Sequence, residues 1–152
     1  MDLERRIALL EDREKIKELR ATYCFMVDDD QYAELVNNHF TTHAGCDFRI
    51  RLGDMEPMIS EGSVQVLAFF QDVVASLLKD MTHTTHNHRI TVDGDTASGD
   101  CYFELTAREP NSSTPMVGAG RYFDEFQRVG DNWRFSQRNA DIFYIVPLEQ
   151  GW

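Results

Sequence analysis

Two short stretches of the chain hold the residue types that acid–base chemistry needs. Tyr23 and Asp28 stand near the end of a long helical pattern, and His83, His86 and His88 open a strand-like run later in the chain. Neutral imidazole, with an ordinary pKa of ~6.5, is a good base at neutral pH when one ring nitrogen is free and the other is held. A carboxylate bonded to the far nitrogen fixes the tautomer and stabilises the imidazolium formed on proton abstraction. Asp28 suits that holding role. General-base catalysis contributes only about 10²–10⁴-fold, so the proton taken must lie α to a carbonyl or be otherwise acidified. The rest of the acceleration falls to stabilising the developing oxyanion, and Tyr23, a donor hydroxyl on an apolar ring, fits that task in a water-poor pocket.

Alternation along an extended strand puts His86 and His88 on one face and His83 on the other, unless a bulge intervenes. One histidine facing inward and two outward is therefore expected. A metal reading competes: His86-x-His88, joined by His83 or Asp28, could supply three ligands and leave a fourth position open, as catalytic zinc sites do. The chain has no HExxH, no GxGxxG and no P-loop. The expectation is a reaction with no metal, nicotinamide or flavin. His39 and His43, by the end of the second helical segment, read as surface or structural residues.

The elements that must position these groups follow from hydrophobic period. From Asp12, read as an N-cap, Ile16, Leu19, Tyr23 and Met26/Val27 recur at helical spacing until the acidic run 28–30. Asp28 is five steps of ~100° beyond Tyr23, so on an ideal helix it is offset by about 140° and must turn inward at a fraying terminus. Asp30 reads as a cap for a second helix over 32–40, with Leu35, Val36 and Phe40 on one face. A third helix, from Ser63 as N-cap to Leu78, carries a wide stripe of doubled positions, Val66/Leu67, Phe69/Phe70, Val73/Val74 and Leu77/Leu78.

Between the second and third helices, Phe48, Ile50 and Leu52 alternate with Asp47, Arg49 and Arg51, the period of a half-buried strand. Strands over 83–92 and 96–108 meet through Asp93-Gly94, and strands over 118–128 and 133–146 meet across Gly130-Asp131-Asn132. Residues 108–115 form the one loop with clustered breakers. Helices first and an antiparallel meander afterwards predict an α+β fold, one curved sheet wrapped around about three N-terminal helices with a pocket left inside.

At 152 residues and 42% hydrophobic, the chain is read as a single domain over 1–152. A net charge of -11 disfavours phosphate backbones and anionic lipid, so neither nucleic acid nor membrane is expected as a partner. With no apolar leader segment and no membrane span, the expected location is cytoplasmic. Cys24, Cys46 and Cys101, three thiols without CxxC spacing, read as reduced and buried.

The segment 9–19, Tyr23-x4-Asp28, the histidine cluster before Ile90-Thr-Val-Asp-Gly-Asp-Thr-Ala97, and Gly120-Arg-Tyr-Phe-Asp-Glu-Phe126 followed by Trp133-Arg-Phe135 together resemble the SnoaL-like branch of the NTF2-like superfamily. Within it the pattern is similar to scytalone dehydratase, bile-acid 7α-dehydratase and hexachlorocyclohexane dehydrochlorinase. The resemblance implies an NTF2-like cone and a cofactor-independent lyase, in which a histidine removes a carbon-bound proton, an aspartate orients it, and a leaving group departs from the neighbouring carbon. By that match Asp28 is the aspartate, Tyr23 the tyrosine of the dehydratases, and His83 the histidine, with His86 in competition. Some of these dehydratases use a second acid or histidine on the next strand. Here that stretch is Cys101-Tyr-Phe-Glu-Leu-Thr106, so the role is lost or falls to Tyr102 or Glu104.

Two other readings stay open. One is an isomerase or polyketide cyclase in the manner of ketosteroid isomerase, with Asp47 or Asp100 as base. The other is a non-catalytic binding or assembly subunit, like the small subunit of ring-hydroxylating dioxygenases. Pocket walls are expected to draw on Phe25, Met26, Phe69, Tyr102, Met116, Phe143 and Tyr144, enclosing about 300–1,000 Å³ for a hydrophobic polyketide, steroid-like or aromatic molecule. The apolar run 142–148, ending in Trp152, should cover the pocket mouth or pack on a neighbouring subunit, and a homodimer or homotrimer is expected.

Overall fold

The first helix starts well before its apolar stripe. In the computed structural model, which describes residues 1–151, α1 spans Leu3–Asp28, and its N-cap is Asp2, whose carboxylate accepts from the Arg5 amide at 2.8 Å. Leu3, Ile7 and Leu10 on the added turns are exposed. Asp12 is therefore no cap: it is buried mid-helix, accepting from Trp133 Nε1 (3.0 Å) and from both terminal nitrogens of Arg128 (2.9 and 2.7 Å).

Helix α2 covers Tyr32–His39, with Gln31 at its N-cap; Asp30 instead accepts a hydrogen bond from the Tyr32 hydroxyl at 2.7 Å. Helix α3 covers residues 62–77 in three pieces, α-helical at Gly62–Ala68, π-helical at Phe69–Val74, and α-helical again at Ala75–Leu77. Its N-cap is Glu61, not Ser63. A π turn widens the stripe that faces one way, which lets the doubled pairs Phe69/Phe70 and Val73/Val74 look into the same space.

Six strands follow the chain: β1 Phe40–Ile50, β2 Met58–Glu61, β3 Lys79–Asp93, β4 Thr96–Arg108, β5 Pro115–Val129 and β6 Asn132–Pro147. They form one sheet in the order β2-β1-β6-β5-β4-β3. The pairs β3/β4, β4/β5 and β5/β6 make the expected antiparallel meander, but β1 lies parallel to β6. Leu52 falls beyond β1 in an exposed bend. The curved sheet is unclosed, and its concave face holds the helices in an α+β cone: α1 packs on β3 and β6, α3 on β1. No helix among the described residues is long and apolar enough to cross a membrane.

A bulge in β3 decides which way the histidines point. His86 pairs with Tyr102 and Arg89 with Asp100, so Asn87 and His88 both stand opposite Cys101, and Asn87 takes φ +56°. The extra residue reverses the alternation. Met81, His83 and Thr85 face inward before it, His88, Ile90 and Val92 after it, and His86 is left on the outer face. The expected pairing of His86 with His88 on one face is thereby overturned.

The run 142–147 is the end of β6 and not a free tail: Ile142 and Ile145 form part of the pocket wall, and Leu148 is exposed. Trp152 lies outside the described residues. Cys24, Cys46 and Cys101 are free and buried; burial pushes the thiols of Cys24 and Cys46 up to about 12.

Candidate active site

Asp28 is the last residue of α1, where the chain is about to leave the helix, and its carboxylate turns toward β3. One oxygen lies 2.6 Å from His83 Nδ1, and the other accepts from the His83 backbone amide at 3.1 Å. A carboxylate can only accept, which leaves only a donor role for Nδ1. The ring proton therefore sits on Nδ1 and the lone pair on Nε2. His83 is almost wholly buried and lines the inner pocket.

Tyr23 stands edge-on to that imidazole, with ring centroids 5.8 Å apart and planes at 88°. It is packed on four more aromatic rings, Phe40, Phe70, Tyr122 and Phe135. Burial holds the Tyr23 hydroxyl well above the ordinary tyrosine range and raises Tyr122 as well. Both hydroxyls thus stay protonated at neutral pH.

The pocket itself runs between the end of α1, the π turn of α3 and the concave face of the sheet. Its walls include Val27, Phe48, Phe69, Leu105, Ile142 and Ile145, and Tyr23, His83 and Tyr122 are the lining residues with a polar side-chain atom. The cavity is small, ≈ 70 Å³, well below the expected volume of about 300–1,000 Å³, because the aromatic and aliphatic side chains of α1, α3 and the sheet fill most of the cone.

Beside the two tyrosines lies a buried charge cluster that periodicity alone does not reveal. The Arg138 guanidinium stacks on Tyr122 (3.6 Å from its ring centroid), Tyr23 (4.0 Å) and Phe135 (4.6 Å). Its partner is Asp124, at 3.7 Å, which Arg20 Nε holds with a hydrogen bond of 2.9 Å. All three side chains are fully buried. Burial pushes Asp124 upward, and the two guanidiniums pull it back. With two permanent cations against it, the carboxylate stays ionised. Burial works against the charge of Arg138, yet its pKa is raised, with the Asp124 carboxylate the foremost cause. Two cations and one anion leave a net charge of +1 under the tyrosines, and none of the Arg138 nitrogens has a hydrogen-bond partner among the described residues.

The other expected site residues are dispersed, each for a geometric reason. Phe25 is two residues, about 200°, around α1 from Tyr23, and it is 70% exposed. Met26 is buried in the core but does not line the pocket. Phe69 does line it. Tyr102 alternates with the inward Cys101 and Phe103 and so faces out, next to His86 and under Arg121. Phe143 is the extra residue of a second bulge, between the pairs Ala119/Tyr144 and Gly120/Ile142, and it stacks under Arg51 on the outer face. Tyr144 pairs with Ala119, and Met116, half-buried, packs against the core; neither lines the pocket.

His86, the competitor for the base, is on the outer face, 3.6 Å from Glu104, beyond hydrogen-bond reach. The structure separates it from Asp28 by the thickness of the sheet. The same separation takes His86 and His88 apart, and among the described residues no three His, Cys, Asp or Glu side chains gather as a metal would need. Asp47 is bound by Arg49, and Asp100 by Arg89 and Arg121; neither carboxylate lines the pocket.

Solved structures share this fold over nearly the whole chain. Hexachlorocyclohexane dehydrochlorinase LinA-type3 from Novosphingobium barchaimii LL02 superposes with a TM-score of 0.77 at 22% identity, covering 94% of each chain. A scytalone dehydratase-like protein from Novosphingobium aromaticivorans DSM 12444 gives 0.76 at 16% identity over 91% of this chain and 88% of its own. An NTF2-like superfamily protein from Salmonella enterica serovar Typhimurium LT2 gives 0.75 at 16% identity, covering 95% and 99%. At these identities the likeness is one of fold. No curated protein matches the sequence. The SnoaL-like domain profile, however, matches residues 8–139, most of the chain, and the protein belongs to that family.

Proposed function

We propose that the protein is a cofactor-independent lyase that removes a carbon-bound proton from a hydrophobic small molecule with His83 and expels a leaving group from the neighbouring carbon. The observation that carries the reading is the 2.6 Å contact between Asp28 and His83 Nδ1 at the wall of an apolar pocket. In this scheme Nε2 takes the proton, and Asp28 stabilises the imidazolium that results. The electron pair left on carbon forms the double bond as halide departs, or as a hydroxyl departs and takes the proton back from the His83 imidazolium to leave as water. Tyr23 and Tyr122 present hydroxyl donors to the oxygen on which negative charge develops, and the net positive charge of the Arg20–Asp124–Arg138 cluster, carried to the rings by Arg138, lowers the energy of that oxyanion in a site of low dielectric. The structural likeness to a dehydrochlorinase and a scytalone dehydratase-like protein supports a lyase class, with halide and water both as candidate leaving groups.

The apolar walls select an uncharged substrate with one polar end, placed at the tyrosines and His83. The test is incubation with paired cyclic ketones bearing β-chloro or β-hydroxy substituents, following enone absorbance. Formation above the uncatalysed rate, lost in His83→Gln, is expected. Turnover that survives in His83→Gln would overturn the assignment of the base and move the reaction to a carboxylate mechanism.

A further inference from the structure

The buried charges beside the pocket continue outward to a histidine that the proposed reaction does not use. His88, in the β3 bulge, turns inward, and its Nδ1 lies 3.2 Å from Arg20 Nη1. A guanidinium can only donate, so the contact requires an unprotonated Nδ1 and hence a neutral ring with its proton on Nε2. Of the three guanidinium nitrogens of Arg20, Nε is held by Asp124, Nη1 by His88, and Nη2 has no partner among the described residues. Asp124 then faces Arg138, which lies on the two pocket tyrosines. Each link is a direct contact, and the three middle side chains are sealed from solvent.

We propose that His88 is a positioning residue: in its neutral form it anchors Arg20 and, through Asp124, sets the guanidinium of Arg138 against Tyr23 and Tyr122, and its protonation releases that anchor. An imidazolium Nδ1–H meets a donor where an acceptor stood, and two like charges face each other without water between them. Arg20 is then left with Asp124 alone, and the balance of Asp124 between its two arginines changes. The consequence for turnover rests on the lyase reading; the coupling between His88 and Arg138 does not.

The surroundings of His88 oppose a proton on it. Arg20 and Lys17 of α1 and His86 of β3 act on it, and it lines one polar depression together with Asn87 and Arg89 of β3, Asp100, Cys101 and Tyr102 of β4 and Arg121 of β5. Burial first, then Arg20, Lys17 and His86, hold its pKa below the ordinary histidine value. Asp100, the nearby carboxylate, is already claimed by Arg89 and Arg121. Neutral His88 is thus the resting state, and release comes on the acid side.

The test reads the arginines directly. In wild type, the side-chain ¹⁵Nε resonances of Arg20 and Arg138 are followed by NMR from neutral to acid pH and compared with His88→Asn, whose amide oxygen can accept from Arg20 but does not titrate. Both resonances are expected to move with one shared midpoint below the ordinary histidine range, and to stay still over that range in His88→Asn. No movement in wild type, or the same movement in the variant, overturns the proposal. His88→Gln serves as the second variant should His88→Asn fail to fold. In the elimination assay the acid limb of kcat/KM should lose one proton's worth of steepness in His88→Asn. An unchanged limb beside a positive NMR result overturns the control of turnover and leaves the coupling standing. Absence of turnover in every form refutes the lyase reading while the resonances still decide the coupling.

Discussion

Replacing Asp28 with Asn exchanges one oxygen for an NH₂ group and should disable the base without dismantling the fold. In the native site one carboxylate accepts two donors, His83 Nδ1–H at 2.6 Å and the His83 backbone N–H at 3.1 Å. An asparagine has one acceptor oxygen and one NH₂. The backbone N–H is fixed in β3 and cannot turn away, so the amide oxygen stays with it and the NH₂ faces Nδ1. Nδ1 must then become the acceptor, which moves the ring proton to Nε2, the atom that was to receive the substrate proton. The tautomer is inverted, and the imidazolium loses its counter-charge. Inverting a histidine tautomer and removing its carboxylate costs about 10⁴ in kcat in the serine-protease triad, and general-base catalysis as a whole is worth about 10²–10⁴. The expected loss here is therefore about 10²–10⁴-fold in kcat, or ~3–5 kcal/mol of transition-state stabilisation. Stability should fall by about 1–3 kcal/mol, the scale of hydrogen bonds to a charged group. The assay is enone formation under single-turnover conditions, with circular dichroism and thermal melting on the same samples. A folded Asp28→Asn protein within tenfold of wild type would refute the reasoning, because the carboxylate would then hold neither the tautomer nor the charge.

Arg138→Met should lower both stability and activity: taking one partner from the buried pair with Asp124, together with its stacking on three rings, should cost about 3–5 kcal/mol of unfolding free energy, and removal of its charge should slow elimination by about 10²-fold in the protein that remains folded, on the scale of a lost oxyanion donor; a melt and a rate measurement decide it. At Gly120 an added Cβ would fall 2.6 Å from the Asp141 carbonyl oxygen and 2.5 Å from the Phe103 ring, so Gly120→Ala is expected to destabilise by about 1–3 kcal/mol in urea unfolding. His39 and His88 both have pKa values lowered by burial, so the unfolded chain binds more protons than the native one below about pH 6.5. Their contribution to stability is complete above that pH and is lost as pH falls through the lowered native values, which a series of melts between pH 7 and pH 5 should show as a declining Tm. Cys24 and Cys46, pushed up to about 12, should resist thiol reagents at pH 8 until the protein is unfolded.

Much of this architecture can be read from the chain, because its elements are strongly periodic. The stripes of α1 and α3, the two hairpin turns and the inward positions of β4 follow directly from apolar spacing. The placement of Asp28 and His83 comes from the resemblance in Tyr23-x4-Asp28 and the histidine cluster, since an ideal helix turns Asp28 away from Tyr23. What escapes is local irregularity. β2, four residues without alternation, has no periodic signal, and the parallel β1/β6 pair depends on contacts between distant parts of the chain. The β3 bulge does leave a trace: Met81 and His83 are odd-numbered and Ile90 and Val92 even-numbered, yet all must face the core, and Asn87 between them tolerates a positive φ. The same holds for the buried charges. Arg20 falls in the apolar stripe between Ile16 and Tyr23, Asp124 alternates with Tyr122 and Phe126, and Arg138 with Ala140 and Ile142. Charged residues at core-periodic positions are the signal by which this cluster could be found. Phe25, Tyr102 and Phe143 show the converse, aromatic residues assigned to a pocket on character when their parity points outward.

The most direct measurement is hydrogen–deuterium exchange at the acidified carbon of a bound cyclic ketone in heavy water, comparing wild type with His83→Gln by mass spectrometry. A base at His83 predicts enzyme-dependent exchange at that carbon in wild type, reduced by at least about 10²-fold in the folded variant. Equal exchange in the two proteins would contradict the account, since the proton would then be taken by a group other than the histidine that Asp28 holds.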